Sequence, residues 1–141
     1  MKLDIYYVDA FSHETFEGNP AAVIFSNLND DNLMQNIAAE NNLSETAFVN
    51  VTENENIIRW FSPTKEVDLC GHATLASAFV YFNYINPGKE TIEFKSNGGI
   101  LIVNKKDDLL ELDFPKDIFT QINNRDVVGD AVGLKPIETY K

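Results

Sequence analysis

The fold is decided by the stretch Ala73-Thr74-Leu75-Ala76-Ser77-Ala78-Phe79-Val80-Tyr81-Phe82, which contains no charged residue. Its composition predicts a helix that starts near Gly71, and Pro87 and Gly88 end it. A helix that is apolar on every side is normally buried on every side rather than laid on a surface. The sequence therefore predicts a central helix surrounded by other elements.

Strand-like runs precede and follow this helix, separated by turns rich in Gly, Asn, Asp and Pro. A further helix is predicted over residues 30–39, with Asn29 as its N-cap. One sheet curved around a single helix satisfies both the strand alternation and the uniform apolarity of the helix. The predicted class is α+β, with an antiparallel or mixed sheet around a central helix. Its strands are expected at 3–8, 21–25, 45–51, 56–61, 91–95, 99–103 and 109–114.

The length and the net charge of the chain limit which functions are possible. The chain has 141 residues, 44% of them apolar, which is one ordinary domain with a core. Its net charge is −11, and residues 1–70 hold 12 acidic and 3 basic side chains. Such a surface repels phosphate backbones and anionic lipids, so neither nucleic acid nor a membrane is an expected partner. One cysteine excludes an internal disulfide, and no signal peptide is recognisable, so we expect a cytoplasmic protein.

The start of the apolar helix is the first candidate for chemistry. Free backbone amides and the helix dipole at such a terminus attract an anion such as a substrate carboxylate, and Gly71 leaves the backbone uncovered. Cys70 and His72 flank this position. A thiol at a helix N-terminus is expected to have a lowered pKa. The alternative is that Cys70 is a small core residue and His72 a cap.

Glu45 is the second candidate, because it opens a strand directly after a turn, where functional groups are often displayed. Its apolar neighbours suit a general acid or base, although a solvated strand glutamate is the alternative. Asn19 either lines a site or builds a turn, and Arg59 or Lys65 can neutralise a nearby acid. The sequence carries no phosphate loop, dinucleotide fingerprint or metal-ligand spacing, so neither a cofactor nor a metal is predicted.

Four ordered motifs cover most of residues 5–80. They are residues 8–11, 16–23, 42–49, and 59–63 continuing through 66–76. Together they resemble the N-terminal half of the PhzF-like phenazine biosynthesis family, relatives of diaminopimelate epimerase. The resemblance implies a mixed β-barrel wrapped around a central helix, with two such halves facing each other across the substrate. It also implies cofactor-free catalysis, in which a carboxylate moves a proton between carbons of a small carboxylate substrate. In the phenazine enzyme that substrate is a dihydro-hydroxyanthranilate.

The resemblance also assigns residue roles. The acid/base glutamate of the family corresponds to Glu45, and its active-site histidine to His72. Asn19, Gly71 and Ala73 correspond to residues near the substrate. Cys70 stands where the related epimerases place one of two catalytic cysteines.

The chain departs from the family in its length, because family members are roughly twice as long. We therefore expect residues 1–115 to form the N-terminal barrel domain and residues 116–141 a stub leading into an absent second domain. A terminal strand that returns to the first half in the family is also missing, which predicts an open sheet edge.

Three functions follow from this comparison with the family. The first is a PhzF-like isomerase present as the first half of a truncated two-domain enzyme. It would be inactive unless it forms a homodimer or meets a second-half partner. The second is an amino-acid racemase or epimerase that uses Cys70, and the third is a non-catalytic half-domain.

Overall fold

One continuous sheet curls around a single helix in the computed structural model, which describes residues 2–14, 16–114, 116 and 118–140. The helices are α1 (Asp31–Asn41), α2 (Gly71–Val80) and α3 (Arg125–Val132), and a π-helical turn (Tyr81–Ile85) follows α2 directly. The strands are β1 (Tyr6–Ala10), β2 (Asn19–Phe25), β3 (Glu45–Val51), β4 (Asn56–Phe61), β5 (Glu66–Val67), β6 (Thr91–Ser96), β7 (Gly99–Lys106), β8 (Leu109–Asp113), β9 (Gln121–Ile122) and β10 (Thr139–Tyr140).

The sheet is mixed. Its strands follow the order β1-β2-β3-β4-β6-β7-β8, and the short β5 pairs with β4. The β2–β3 and β4–β6 pairs are parallel, whereas the remaining pairs in this sheet are antiparallel. Strands β9 and β10 form a separate two-stranded sheet. The predicted α+β class with a mixed sheet around a central helix is confirmed. The predicted domain boundary at residue 115 lies outside the described residues.

Helix α2 lies in the centre and packs against β1, β2, β3 and β8. Ala73, Ala78 and Val80 have no exposed surface, and the core around them includes Trp60 and Phe94. The two hydroxyls that this helix buries are satisfied locally, because Thr74 Oγ1 donates to the Cys70 carbonyl and Ser77 Oγ donates to the Ala73 carbonyl at 2.7 Å. The uniform apolarity of α2 is thus explained by contacts on most of its sides.

One side of α2 stays uncovered. Strands β1 and β8 are the two ends of the sheet, and both contact α2. Between them lies a groove of about 680 Å³ whose floor includes Leu75 and Phe79. Phe79 is 42% exposed there, and Tyr7 of β1 and Leu109 of β8 are exposed on the two sides. We call this groove the seam.

The element ends differ in detail from the sequence expectations. Asp30, not Asn29, caps α1, since its carboxylate accepts a hydrogen bond from the Leu33 amide at 3.1 Å. Strand β5 and the π-helical turn were not predicted. None of the helices in the described ranges combines the length and apolar character needed to span a bilayer.

Candidate active site

The strand register brings the first candidate residues to one end of the sheet. Glu45 is the first residue of β3 and pairs with Ala21 of the parallel strand β2. Side chains alternate along a strand, so Glu45 shares a face with Ala47, which lies in the core around α2. Asn19, two residues before Ala21, lies on the corresponding face at the same end of β2. The N-terminus of α2 meets this end of the sheet.

Glu45, His72 and Cys70 form one cluster. His72 Nε2 lies 3.4 Å from Glu45 Oε2, and His72 Nδ1 lies 3.4 Å from Cys70 Sγ. The imidazole thus contacts both a carboxylate and a thiol, and the three groups lie close to one another. The His72 side chain is 8% exposed, whereas that of Glu45 is 21% exposed. Glu45 is thus the member of the cluster that reaches solvent most readily.

Burial controls the charge of His72. It lowers the pKa of the imidazole from its ordinary 6.5, against the opposing effects of the Glu45 charge and the Pro20 backbone carbonyl. His72 is therefore neutral at pH 7, so that one ring nitrogen carries a proton and the other accepts one. A neutral imidazole can position a substrate or relay a proton without adding a buried charge.

Burial also controls the pKa of the Cys70 thiol, and it shifts that pKa in the direction opposite to the one expected from the sequence. It raises the pKa of Cys70 from 9.0 to about 11, and the nearby Glu45 carboxylate adds to the increase. The backbone amides of Ala73 and His72 oppose this shift but do not overcome it. The predicted lowering of the pKa at the helix terminus was therefore wrong, since desolvation outweighs the dipole.

This buried environment predicts that the Cys70 thiol reacts slowly with alkylating reagents. At pH 8 we expect iodoacetamide to alkylate Cys70 about tenfold more slowly in the folded chain than in urea. The smaller thiolate fraction is only partly offset by the higher nucleophilicity of a more basic thiolate. Mass spectrometry measures the rate directly, because the chain has one cysteine. Equal rates in the two states would contradict the raised pKa.

The remaining predicted site residues border the N-terminus of α2. Gly71 is its first residue, and a Cβ there would lie 2.9 Å from Cζ of Phe114. The half-exposed Phe114 ring thus covers one side of the helix terminus. The Ala73 side chain is fully buried in the core, so only its backbone amide is available to a ligand. The Thr74 amide is already bonded to the Cys70 carbonyl at 3.3 Å.

Arg59 lies in a separate network. Its guanidinium binds Glu66 through two contacts of 2.7 Å and Asp31 through a third of 2.7 Å. Asn97 donates to Glu66 as well, at 3.3 Å. This network ties β4 and β5 to the start of α1, so Arg59 neutralises acids and supports the chain segment that leads to Cys70.

Sequence reasoning missed Phe114, which the curvature of the sheet brings to Gly71 from the far end of β8. The only local signal was its position, since an aromatic residue that directly follows a strand can reach across the end of a barrel. The contact itself depends on the closure of the sheet around α2.

A mixed sheet curled around a buried helix is the epimerase-like fold. A predicted epimerase from Pseudomonas aeruginosa shares this fold with a TM-score of 0.77 at 19% identity, over 95% of this chain and 51% of that one. At this level of identity the likeness concerns the fold alone.

Comparisons at higher sequence identity show which family the chain belongs to. The model of the phenazine biosynthesis-like protein family, PhzC-PhzF, matches residues 8–127. An uncharacterized isomerase from Pseudomonas aeruginosa is 48% identical over 140 residues, which are 98% of this chain and 53% of the relative. A human phenazine biosynthesis-like domain-containing protein is 44% identical over 124 residues, covering 82% of this chain and 43% of its own length.

A solved structure agrees with these relatives. The PhzF family protein from Enterococcus faecalis superposes with a TM-score of 0.89 at 48% identity, over 99% of this chain and 54% of that one. The chain belongs to the PhzF-like phenazine biosynthesis family. It spans about half the length of the relatives that it matches.

Proposed function

We propose that the chain supplies one half of a cofactor-independent isomerase site, which moves a proton between carbons of a small carboxylate substrate. The observation that carries this proposal is the contact of 3.4 Å between a solvent-reaching Glu45 carboxylate and a buried His72 imidazole. Both groups stand at the N-terminus of α2, which begins at Gly71. The naming of relatives as isomerases supports the reaction class.

The chemistry begins with Glu45 as general base. Its carboxylate takes a proton from a carbon conjugated with the substrate carboxylate, and the electron pair of the C–H bond moves into the conjugated system. The amides of Gly71, His72 and Ala73 are the first of α2, and a helix terminus of this kind stabilises developing negative charge. Glu45 then returns the proton to another carbon, so that no electron is gained or lost overall.

Cys70 is not a proton carrier in this mechanism. A racemase that used it would need a thiolate, and burial raises the pKa of Cys70 to about 11. At neutral pH the thiol is protonated, and it contacts His72 Nδ1 at 3.4 Å. Its role is then to hold the imidazole in place beside Glu45.

A second half completes the site in this proposal. The cluster opens to solvent on the side of Glu45, where nothing in the described chain would exclude water from a bound substrate. The seam is a second uncovered surface, with exposed apolar side chains on both rims. We assign residues 1–115 to the first barrel unit and residues 116–141 to the start of the second. The separate β9–β10 sheet supports this division, and a homodimer is the alternative source of the missing half.

Isotope exchange in deuterated water tests both parts of the proposal. The chain is compared with a chimera in which it replaces the corresponding first half of the Enterococcus faecalis protein. We expect the chimera to exchange a carbon-bound hydrogen of a dihydro-hydroxyanthranilate, followed by nuclear magnetic resonance, and the chain alone to exchange at least tenfold more slowly.

The two parts can fail separately. Equal exchange by the chain and the chimera would contradict the need for a second half. Exchange of diaminopimelate alone would favour the racemase alternative, whereas exchange of neither compound by a folded chimera would contradict proton transfer on this substrate class.

A further inference from the structure

The cluster at the start of α2 combines three different metal-ligating groups. A carboxylate oxygen of Glu45, the sulfur of Cys70 and a ring nitrogen of His72 all lie within 4.8 Å of one another. Four-coordinate Zn²⁺ takes sulfur, nitrogen and oxygen donors at about 2.0–2.3 Å, which places neighbouring donors roughly 3.5 Å apart. His72 Nε2 already lies 3.4 Å from Glu45 Oε2, whereas the 3.4 Å contact to Cys70 Sγ is made by the other ring nitrogen, Nδ1. One ion binds only one ring nitrogen, so Cys70 Sγ must move by about 1 Å, from within 4.8 Å to roughly 3.5 Å of the other two donors.

A second observation points to a ligand at the same place. His72 Nε2 is buried and has no hydrogen-bond partner among the described residues, although Glu45 Oε2 lies 3.4 Å away. The residue as a whole is 7% exposed. A buried polar atom without a partner costs free energy unless a ligand or water satisfies it. A metal ion is one such ligand, because neutral imidazole nitrogen is a common ligand of zinc.

The charges of the ligating groups also favour a metal cation at this site. Binding of the ion displaces the Cys70 proton to solvent. The resulting thiolate and the Glu45 carboxylate together carry two negative charges, which one divalent cation neutralises, so the occupied site is not left with an unpaired buried charge. The chain has a net charge of −11, which attracts cations to its surface. Three protein ligands leave a fourth position open to water or a substrate carboxylate.

We infer that Glu45, Cys70 and His72 form a site for a borderline-soft divalent cation, Zn²⁺, and that its occupancy blocks proton transfer. The bound ion takes the electron pair with which Glu45 would accept a proton. Binding of the ion does not depend on the proposed isomerase activity, whereas inhibition does. No metal ligation was predicted from the sequence, because Glu45 is distant from Cys70 and His72 in the chain and joins them only where β3 meets α2.

Cobalt provides a direct test on the chain itself. We expect one Co²⁺ per chain with a thiolate-to-cobalt charge-transfer band, and stoichiometric Zn²⁺ should abolish the band. The band should be lost in Cys70→Ser, and the affinity for Zn²⁺ should fall on the order of 100-fold or more in His72→Gln and in Glu45→Gln. His13→Gln is the matched control, because His13 is the other histidine and lies in an exposed loop.

These outcomes do not depend on the proposed isomerase activity, because the experiment uses no substrate. Absence of the band in the folded chain, or an unchanged affinity for Zn²⁺ in His72→Gln, would overturn the site. Equal losses in His13→Gln and His72→Gln would also overturn it, because they would indicate general surface binding. The fluorescence of Trp60, the single tryptophan, reports whether each variant is folded. If Cys70→Ser does not fold, His72→Gln decides the outcome by its affinity for Zn²⁺.

Discussion

Replacing Glu45 with glutamine is expected to slow proton exchange by the chimera on the order of 10²–10⁴-fold, the usual contribution of a general acid or base. Glutamine keeps the size and the hydrogen-bonding reach of the side chain but has no basic electron pair to accept the proton. Because glutamine has nearly the same shape and Glu45 stands at the very start of β3, the substitution leaves the core around α2 in place. The loss should therefore fall on the rate rather than on stability.

The measurement is hydrogen–deuterium exchange on the substrate carbon, with urea unfolding as the check on stability. Glu40→Gln is the matched control, since it makes the same chemical change on the exposed surface of α1 and should retain the full rate. Cys70→Ser should keep most of the activity, because the proposed mechanism does not use the thiolate. If Cys70→Ser abolished exchange while Glu45→Gln left it intact, the assignment of Glu45 as the base would be wrong.

The central helix could be predicted because its signal is local. Residues 73–82 carry no charge, and that property alone requires burial on most sides. Where α2 ends could not be predicted, because the apolar composition continues through the π-helical turn. The end is set by backbone contacts such as the one from the Asn86 amide to the Tyr81 carbonyl at 2.8 Å. Composition thus indicated the environment of the helix but not its backbone geometry.

The N-cap of α1 shows the same limit on a smaller scale. Asn29 and Asp30 are both good capping residues, so propensity does not choose between them. The choice depends on which side chain reaches the Leu33 amide, and Asp30 does so at 3.1 Å. Helix existence was predictable here, and its first residue was not.

The sequence identified Glu45 and His72 as candidate residues, but it did not indicate the pKa shifts around them. Glu45 and His72 were identified from their positions and from the family resemblance, and the structure brings them to 3.4 Å. The pKa of Cys70 could not be inferred from its place at a helix terminus, because burial and the charge of Glu45 are tertiary effects. Local rules describe the dipole, whereas the desolvation that outweighs it depends on strands distant in the chain.

Replacing Gly18 with alanine is expected to destabilise the fold by about 3 kcal/mol or more, through backbone strain and a collision together. Gly18 has φ +86°, in the left-handed region that favours glycine, and an added Cβ would lie 2.3 Å from the Ala10 carbonyl oxygen. That oxygen belongs to the backbone of β1, so no side-chain rotation relieves the contact. Relief requires movement at the position where Ala10 pairs with Asn19.

The matched control separates the two contributions. Gly88 has φ +99°, but a Cβ there meets nothing within 4 Å, so Gly88→Ala should cost only backbone strain of about 1 kcal/mol. Urea unfolding followed by Trp60 fluorescence measures both variants, because this single tryptophan is buried. Equal losses would show that the contact with Ala10 adds nothing. A larger loss at Gly18 would mean that the turn before β2 is held by close backbone packing, which fixes where Asn19 stands relative to Glu45.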